Sequence, residues 1–376
     1  MPTPSLLIVP ARFKTGRLYS QIPTNTDNRG DFTVTRNTTA TRFTSAGLIE
    51  SVASGIPRLD YYTSGGVTGC PALLVESAAT NLVLHSRDLT NAVWSGTNVT
   101  RVKNAVGADG VASGATTLTA TAASGTVLQA LSHASQSRVF SAYVRRVTGT
   151  GAIQMTTNNG TTWTTVTISS LYTQVACAAQ TVASGTIGFR MAVSGDVIEV
   201  DFTQGEVGPV ATSPIVNAAA SGSRSADVIS VSGAVSGSIG QTAGVFYADL
   251  TYSFKGSSNP NRWLQLFGAS NNIGLAIATT NVVRSIVNGQ SDILALAPET
   301  TGAIKIAWAY DGTGTAFFIN GTKVTLSNGG GQTMSSLTSL SISGSDNPQL
   351  ANARIRAVAL YNTRLTDSEL IRLTTP

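Results

Sequence analysis

The sequence predicts an all-β protein made of two β-sandwich domains, and three observations lead there. Short apolar runs recur along the chain with turn residues between them at roughly 8 to 12-residue spacing, the rhythm of strands in a sandwich. Charged residues make up only 11% of the chain, against roughly 25% in average soluble proteins, while Gly alone contributes 37 of 376 residues. Helical periodicity is confined to the C-terminal end. Apolar residues amount to 42%, enough hydrophobic surface to offset chain entropy, so a folded chain is expected. The length allows two or three domains, each able to bury a core without metal or disulfide staples.

Residues 1–85 mix Arg, Thr and Gly with short apolar runs such as Ser5 to Val9 and Pro71 to Glu76, and Pro and Gly interrupt any longer pattern. They read as an extended, irregular N-terminal segment that packs on something else. Residues 86–225 hold β-like runs at 138–147, 151–157, 186–193 and 196–208, and form the first sandwich. Residues 226–376 form the second. Within them, 306–326 reads as a meander: Asp311-Gly312 and Asn320-Gly321 are dipeptides that two-residue hairpin loops favour, because Gly, Asn and Asp tolerate positive φ. Trp308, Tyr310 and Phe318 supply the aromatic content of half-buried strands. Near the end, Thr366 stands three residues before Glu369 and makes a capping box, followed by Leu370, Ile371 and Leu373 as the apolar side of a short helix.

Several function classes drop out. The net charge of +5 is spread along the chain, and Arg145-Arg146 is its one adjacent basic pair, so no nucleic-acid groove is expected. Two cysteines, Cys70 and Cys177, and two histidines, His85 and His133, give no disulfide framework and no metal site. There is no P-loop, dinucleotide fingerprint or nucleophile elbow, and Gly329-Gly330-Gly331 precedes no helix, so no cofactor is expected. The N-terminus lacks the basic region of a secretory signal, and no apolar stretch approaches the roughly 18 residues of a membrane span. Synthesis as a soluble chain in the cytoplasm, without membrane insertion, is the expectation.

Two chemistries remain. Glu199, Asp201 and Glu206 are candidate carboxylates for glycoside hydrolysis, since residues two apart on a strand share a face and can raise one another's pKa. The spacing resembles the Glu-x-Asp-x-x-Glu signature of laminarinase-type sandwiches, whose third acid would fall here on Gln204, which cannot serve as acid or base. The structural alternative is carboxylates satisfied by turns or ions. Sugar binding commonly uses a flat ring with Asn, Asp or Gln for the hydroxyls. Trp163, Trp263, Trp308 and Tyr310 are the ring candidates, with Asp311 and Asn320 as polar partners. Against this, Trp263 and Phe267 share one strand face, which more often means sheet core.

Residues 41–94 also bear a resemblance. Gly47-Leu48-Ile49-Glu50, Pro57-Arg58-Leu59-Asp60-Tyr61, Pro71 to Glu76, Thr80-Asn81-Leu82, Ser86 and Trp94 resemble a segment of tailed-bacteriophage virion proteins. That segment usually has Arg before Thr-Asn-Leu; here Ala79 stands there, which removes one of its salt bridges. Residues 86–225 are similar to jelly-roll modules of the carbohydrate-binding type, with Ala211 to Ile215 and Arg224 to Asp227 at the expected junction. Residues 226–376 are similar to concanavalin A-like or laminin-G-like domains, in which such a meander precedes a strand and a short terminal helix. The resemblance implies a virion surface protein whose N-terminal segment docks to capsid or tail proteins. It further implies a homotrimer, and adhesion to host-surface polysaccharide without catalysis. The alternatives are a head or tail decoration protein with no glycan binding, and a polysaccharide hydrolase.

Overall fold

The computed structural model describes residues 2–22, 31–64, 67–208, 210–232, 237–253, 261–269, 271–277, 283–293, 304–327, 331–342 and 352–376. The chain divides into two compact units, one of Met1–Ser45, Val52–Ala78 and Ser225–Pro376, the other of Ala46–Ser51 and Ala79–Arg224. Both are β-sandwiches.

In the unit containing Ala79–Arg224, a five-stranded antiparallel sheet runs Trp94–Thr97, Gly125–Leu131, Gly185–Met191, Ile153–Thr156, Thr164–Val166. A larger sheet is built around Val197–Val207, which pairs with Ala115–Ala120 and with Gln136–Thr148. Side-chain alternation sorts the residues: in Gly125–Leu131 the buried positions 125, 127, 129 and 131 alternate with more exposed ones, so Val127 faces the core and Thr126 the opposite side. Leu118, Val127, Phe140, Ile187, Phe189 and Val200 meet between the sheets, with the Phe140 and Phe189 rings edge-on at 5.3 Å. Each such side chain contributes about 2 kcal/mol on burial.

The other unit is a second sandwich. One sheet runs Thr322–Val324, Gly314–Ile319, Ile304–Asp311, Gly244–Ser253, Asn352–Tyr361, Ala72–Val75, Leu59–Asp60. The other includes Phe32–Thr35, Val228–Ser232, Leu337–Ser341 and Asn261–Gly268. Phe32, Ile229, Phe246, Leu264, Trp308 and Phe317 fill the space between them.

The described residues of 2–45 and 52–78 thus belong to this unit and supply strands to its sheets, while 46–51 belong to the other unit; the sequence suggested an extended segment of their own over 1–85. The reason is an open edge. Asn352–Tyr361 pairs along one side with Gly244–Ser253, and its other side would leave backbone groups unpaired. Leu6–Ile8 and Ala72–Val75 close that edge, with Leu6 opposite Leu360 and Leu73 opposite Ile355. A buried ion network fastens the same segments. Arg58 binds Glu76 at 2.7 Å and also Asp227, while Arg36 reaches Asp227 at 2.9 Å, all with side chains at most 5% exposed. Arg58, Glu76 and Asp60 are among the residues that carry the resemblance of 41–94; Asp60 is buried and accepts from Arg354 at 2.6 Å and from the Phe43 amide at 2.7 Å. Those residues supply the polar ties of a core.

The meander forms as expected, with one shift. Asn320 and Gly321 both take positive φ, 46° and 79°, at a two-residue loop between paired Ile319 and Thr322. In the first hairpin, Asp311 pairs with Gly314, so Gly312 and Thr313 form the loop and Asp311 ends the strand. The helix Asp367–Thr374 carries its capping box at Thr366 and Glu369. Leu370 is buried and Leu373 packs beside it, but Ile371 is 40% exposed, because successive helical residues point about 100° apart.

Candidate functional site

The outer face of the five-stranded sheet presents a row of polar side chains. Register aligns Thr97 with Thr126, Thr126 with Arg190, Arg190 with Gln154 and Gln154 with Thr165. Their chain neighbours Val127, Phe189, Met191, Ile153 and Met155 are buried in the core, so alternation turns the row outward. Arg190 Nε donates to Gln154 Oε1 at 2.8 Å, and Gln154 Nε2 donates to Thr165 Oγ1 at 3.3 Å.

Trp163 stands against this row. The loop that delivers it, residues 157–163, is tightly pinned. Asn159 and Gly160 take positive φ, 63° and 72°. Asn159 Oδ1 accepts from the Thr186 amide at 2.5 Å, and Asn158 Oδ1 from the Thr162 amide at 2.9 Å. Gly160 suits the φ, and a Cβ there would lie 3.0 Å from Trp163 Cζ2, a tight contact that would push on the indole. The half-buried indole then receives Arg190, whose guanidinium carbon lies 4.5 Å from the ring centroid, a cation–π contact. The arrangement is a shelf of hydroxyls and amide walled by an indole and a flat cation. It can offer donors to sugar hydroxyls and an apolar edge to a pyranose ring.

The remaining ring candidates fall elsewhere. Trp308 and Tyr310, put forward as sugar-binding residues, are core residues instead, at 0% and 1% exposure. Trp308 stacks on Phe246 at 5.3 Å and donates to Ser285 Oγ at 2.8 Å; Tyr310 donates to the Gly240 carbonyl at 2.8 Å, and burial raises its hydroxyl pKa. Alternation put them on one strand face, and that face is the one turned to the second sheet. Trp263 lies in the strand Asn261–Gly268, with its side chain outside the described residues. Asn320 is a turn residue whose Oδ1 accepts from the Lys305 amide at 2.9 Å.

Asp311 stands beside a cleft of about 400 Å³ in the second unit, lined by Thr313, Thr315, Lys323, Thr325, Leu326 and Arg364. Its carboxylate accepts from the Thr313 amide at 2.8 Å and meets Arg364 at 3.2 Å; the Thr313 bonds hold its pKa below the usual range. Arg364 also meets Asp367 at 3.1 Å, and Lys323 meets Asp367 at 2.7 Å. Both cations of the cleft therefore have carboxylates of their own.

The acidic candidates share a sheet face but not a site. A β-bulge lies between Asp201 and Gln204, where Phe202 takes φ 46°, and it shifts the phase so that Gln204 and Glu206 follow Asp201 onto the outer side. Glu199 accepts from Arg145 Nε at 2.5 Å. Arg87 bridges Asp201 at 2.8 Å and Asp109 at 2.7 Å. Glu206 accepts from Thr212 and from Gln204 Nε2. Burial raises the pKa of Asp201 and of Glu206, against the pull of these donors. Among the described residues, no three His, Cys, Asp or Glu side chains group as metal ligands, and no helix is long and apolar enough to cross a membrane.

Arg190 and Gln154 escaped the sequence reading. The signal available was strand alternation around Ile153, Met155, Phe189 and Met191, which marks both as outward, but adjacency to Trp163 depends on cross-strand register.

No protein-family model and no curated protein sequence matches the chain. Among solved structures it is similar to Trypanosoma rangeli sialidase, with 16% identity and a TM-score of 0.31 over 35% of this chain and 22% of that one. It is also similar to the Ruminococcus gnavus IT-sialidase CBM40 bound to alpha2,3 sialyllactose, with 13% identity and a TM-score of 0.28 over 36% and 84% of the two chains. The binding domain of Botulinum neurotoxin DC in complex with rat synaptotagmin II is similar at 11% identity and a TM-score of 0.32 over 39% of each. The chain spans about a fifth of the sialidase's length. Likeness this shallow leaves fold and ligand to be argued from the chain's own sheets.

Proposed function

We propose that this chain is a carbohydrate-binding surface protein whose ligand lies on the outer face of the five-stranded sheet, beside Trp163 and Arg190. The observation behind this reading is the outward row Thr97, Thr126, Arg190, Gln154 and Thr165 set against a loop-fixed indole. Such a shelf binds one saccharide weakly, and avidity from many copies makes adhesion. Display on a phage virion, as a homotrimer joined to other virion proteins and facing host-surface polysaccharide, rests on the resemblance of residues 41–94. Immobilised host polysaccharide tests the reading: the full chain is retained and Trp163→Ala abolishes retention. Equal retention of both proteins, or none of either, removes it. Antibody labelling of particles places the chain on head or tail.

Binding without hydrolysis is part of the proposal. Its support is that Glu199, Asp201 and Glu206 each have separate donors. Host polysaccharide is expected to keep its length on incubation; new reducing ends that vanish with Glu199→Gln would overturn this.

A decoration role without glycan is the second reading, favoured by exposed apolar residues in the same unit. Leu171 is 73% exposed, and Val102, Val106 and Val147 are about half exposed, a pattern suited to contact with another protein. Under that reading the wild-type chain binds particles but no polysaccharide.

A further inference from the structure

We infer that the saccharide taken at this face carries an oxyanion, a carboxylate or a sulfate ester, and that Arg190 reads it. The inference rests on the reading of this face as the glycan site. What points to it is an arginine held in place with its working end unused. Elsewhere in the same unit Arg87 faces Asp109 and Asp201, Arg145 faces Glu199, and Arg146 faces Asp196. Arg101 and Arg138 donate to backbone carbonyls. Arg190 spends Nε on Gln154 and rests its plane over Trp163, and among the described residues no carboxylate or carbonyl meets its two terminal nitrogens.

A half-buried guanidinium with an idle pair of parallel N–H groups matches a planar carboxylate or one edge of a sulfate, two donors to two oxygens. Fixing matters as much as charge. Gln154 and Trp163 settle the side-chain torsions before a ligand arrives, so little further rotamer freedom is lost on binding. Thr126 and Thr97 on one side of Arg190 and Gln154 and Thr165 on the other then stand where hydroxyls of the same sugar, or of its neighbours, would fall. A neutral glycan could use those groups but would leave the fork unanswered.

The test uses the full chain with oligogalacturonate, its methyl ester and a sulfated oligosaccharide, measured by calorimetry at two salt concentrations. The ester keeps the sugar and removes the charge. Oligogalacturonate, the sulfated oligosaccharide or both are expected to bind about tenfold or more tighter than the ester, with the advantage shrinking at higher salt. Which of the two binds identifies the oxyanion. Arg190→Gln is expected to erase the advantage, and Arg190→Lys, which keeps the charge but loses the fork, to keep only part of it. Ester and acid bound alike, with binding still lost in Trp163→Ala, would overturn the inference and leave the glycan site standing. Binding indifferent to both Trp163→Ala and Arg190→Gln, or no saccharide bound at all, would remove site and inference together. Unchanged circular dichroism and melting temperature in each variant keep the readings free of unfolding.

Discussion

The sheet face at Arg190 and the cleft beside Arg364 use the same materials, an arginine among threonines, and differ in where the charge goes. At the cleft, Arg364 is matched by Asp311 and Asp367, and Lys323 by Asp367. At the sheet face, the arginine lies on an indole and binds an amide oxygen, both neutral. A cavity volume favours the cleft as a binding site; the inventory of partners favours the flat face. Arginines in the interior show the compensated extreme: Arg58 is fully enclosed between Glu76 and Asp227.

The sharpest way to break this contrast is to remove arginines from each setting. Arg58→Ala takes a buried guanidinium away from Glu76 and leaves Arg36 as the remaining cation on Asp227, and the expected loss is about 3–5 kcal/mol in chemical denaturation of the full chain. Arg190→Ala, by comparison, should cost about 1 kcal/mol or less, since only a cation–π contact and one outward hydrogen bond disappear. Similar costs for the two would mean that Arg190 is a structural residue after all.

The tryptophans offer the same comparison at nearly the same scale. Trp308→Ala empties a site packed by Phe246 and Phe317 and should cost about 3–5 kcal/mol. Trp163→Ala should lower stability by about 1 kcal/mol while abolishing glycan retention. Arg364→Gln sharpens the cleft side: a half-exposed pair is worth about 1 kcal/mol at most, and glycan retention should not change.

The smallest effect concerns acid. Bonds from the Thr366 backbone and hydroxyl hold the Glu369 pKa below its ordinary value, and Lys323 does so for Asp367. Groups with depressed folded pKa values stabilise above their unfolded values, and that contribution fades as pH falls through the folded ones. The helix Asp367–Thr374 should therefore lose amide protection below about pH 4, before the sheets do. Hydrogen exchange between pH 6 and 3 reads this directly, and a helix that outlasts the sheets in acid would contradict the capping box's role.

Much of this was legible in the sequence. Alternation marked the strands, Asn320-Gly321 its turn, and Thr366 with Glu369 the start of the helix, because each depends on φ preferences or hydrogen bonds between residues a few positions apart. The site was legible in fragments. Trp163 could be named as an aromatic candidate, but so could Trp308 and Tyr310, since alternation groups residues by face without saying which face meets another sheet.

Local chemistry therefore determined by itself that the chain is all-β, where its hairpins turn and how its last helix begins. Tertiary structure alone decided that Leu6 lies opposite Leu360, that Arg58 is enclosed by acids from two distant segments, and that Trp163 meets Arg190. The physical reason is range. Backbone preference acts over a few residues, whereas burial, edge pairing and charge compensation are settled by whichever distant groups the sheets bring into contact.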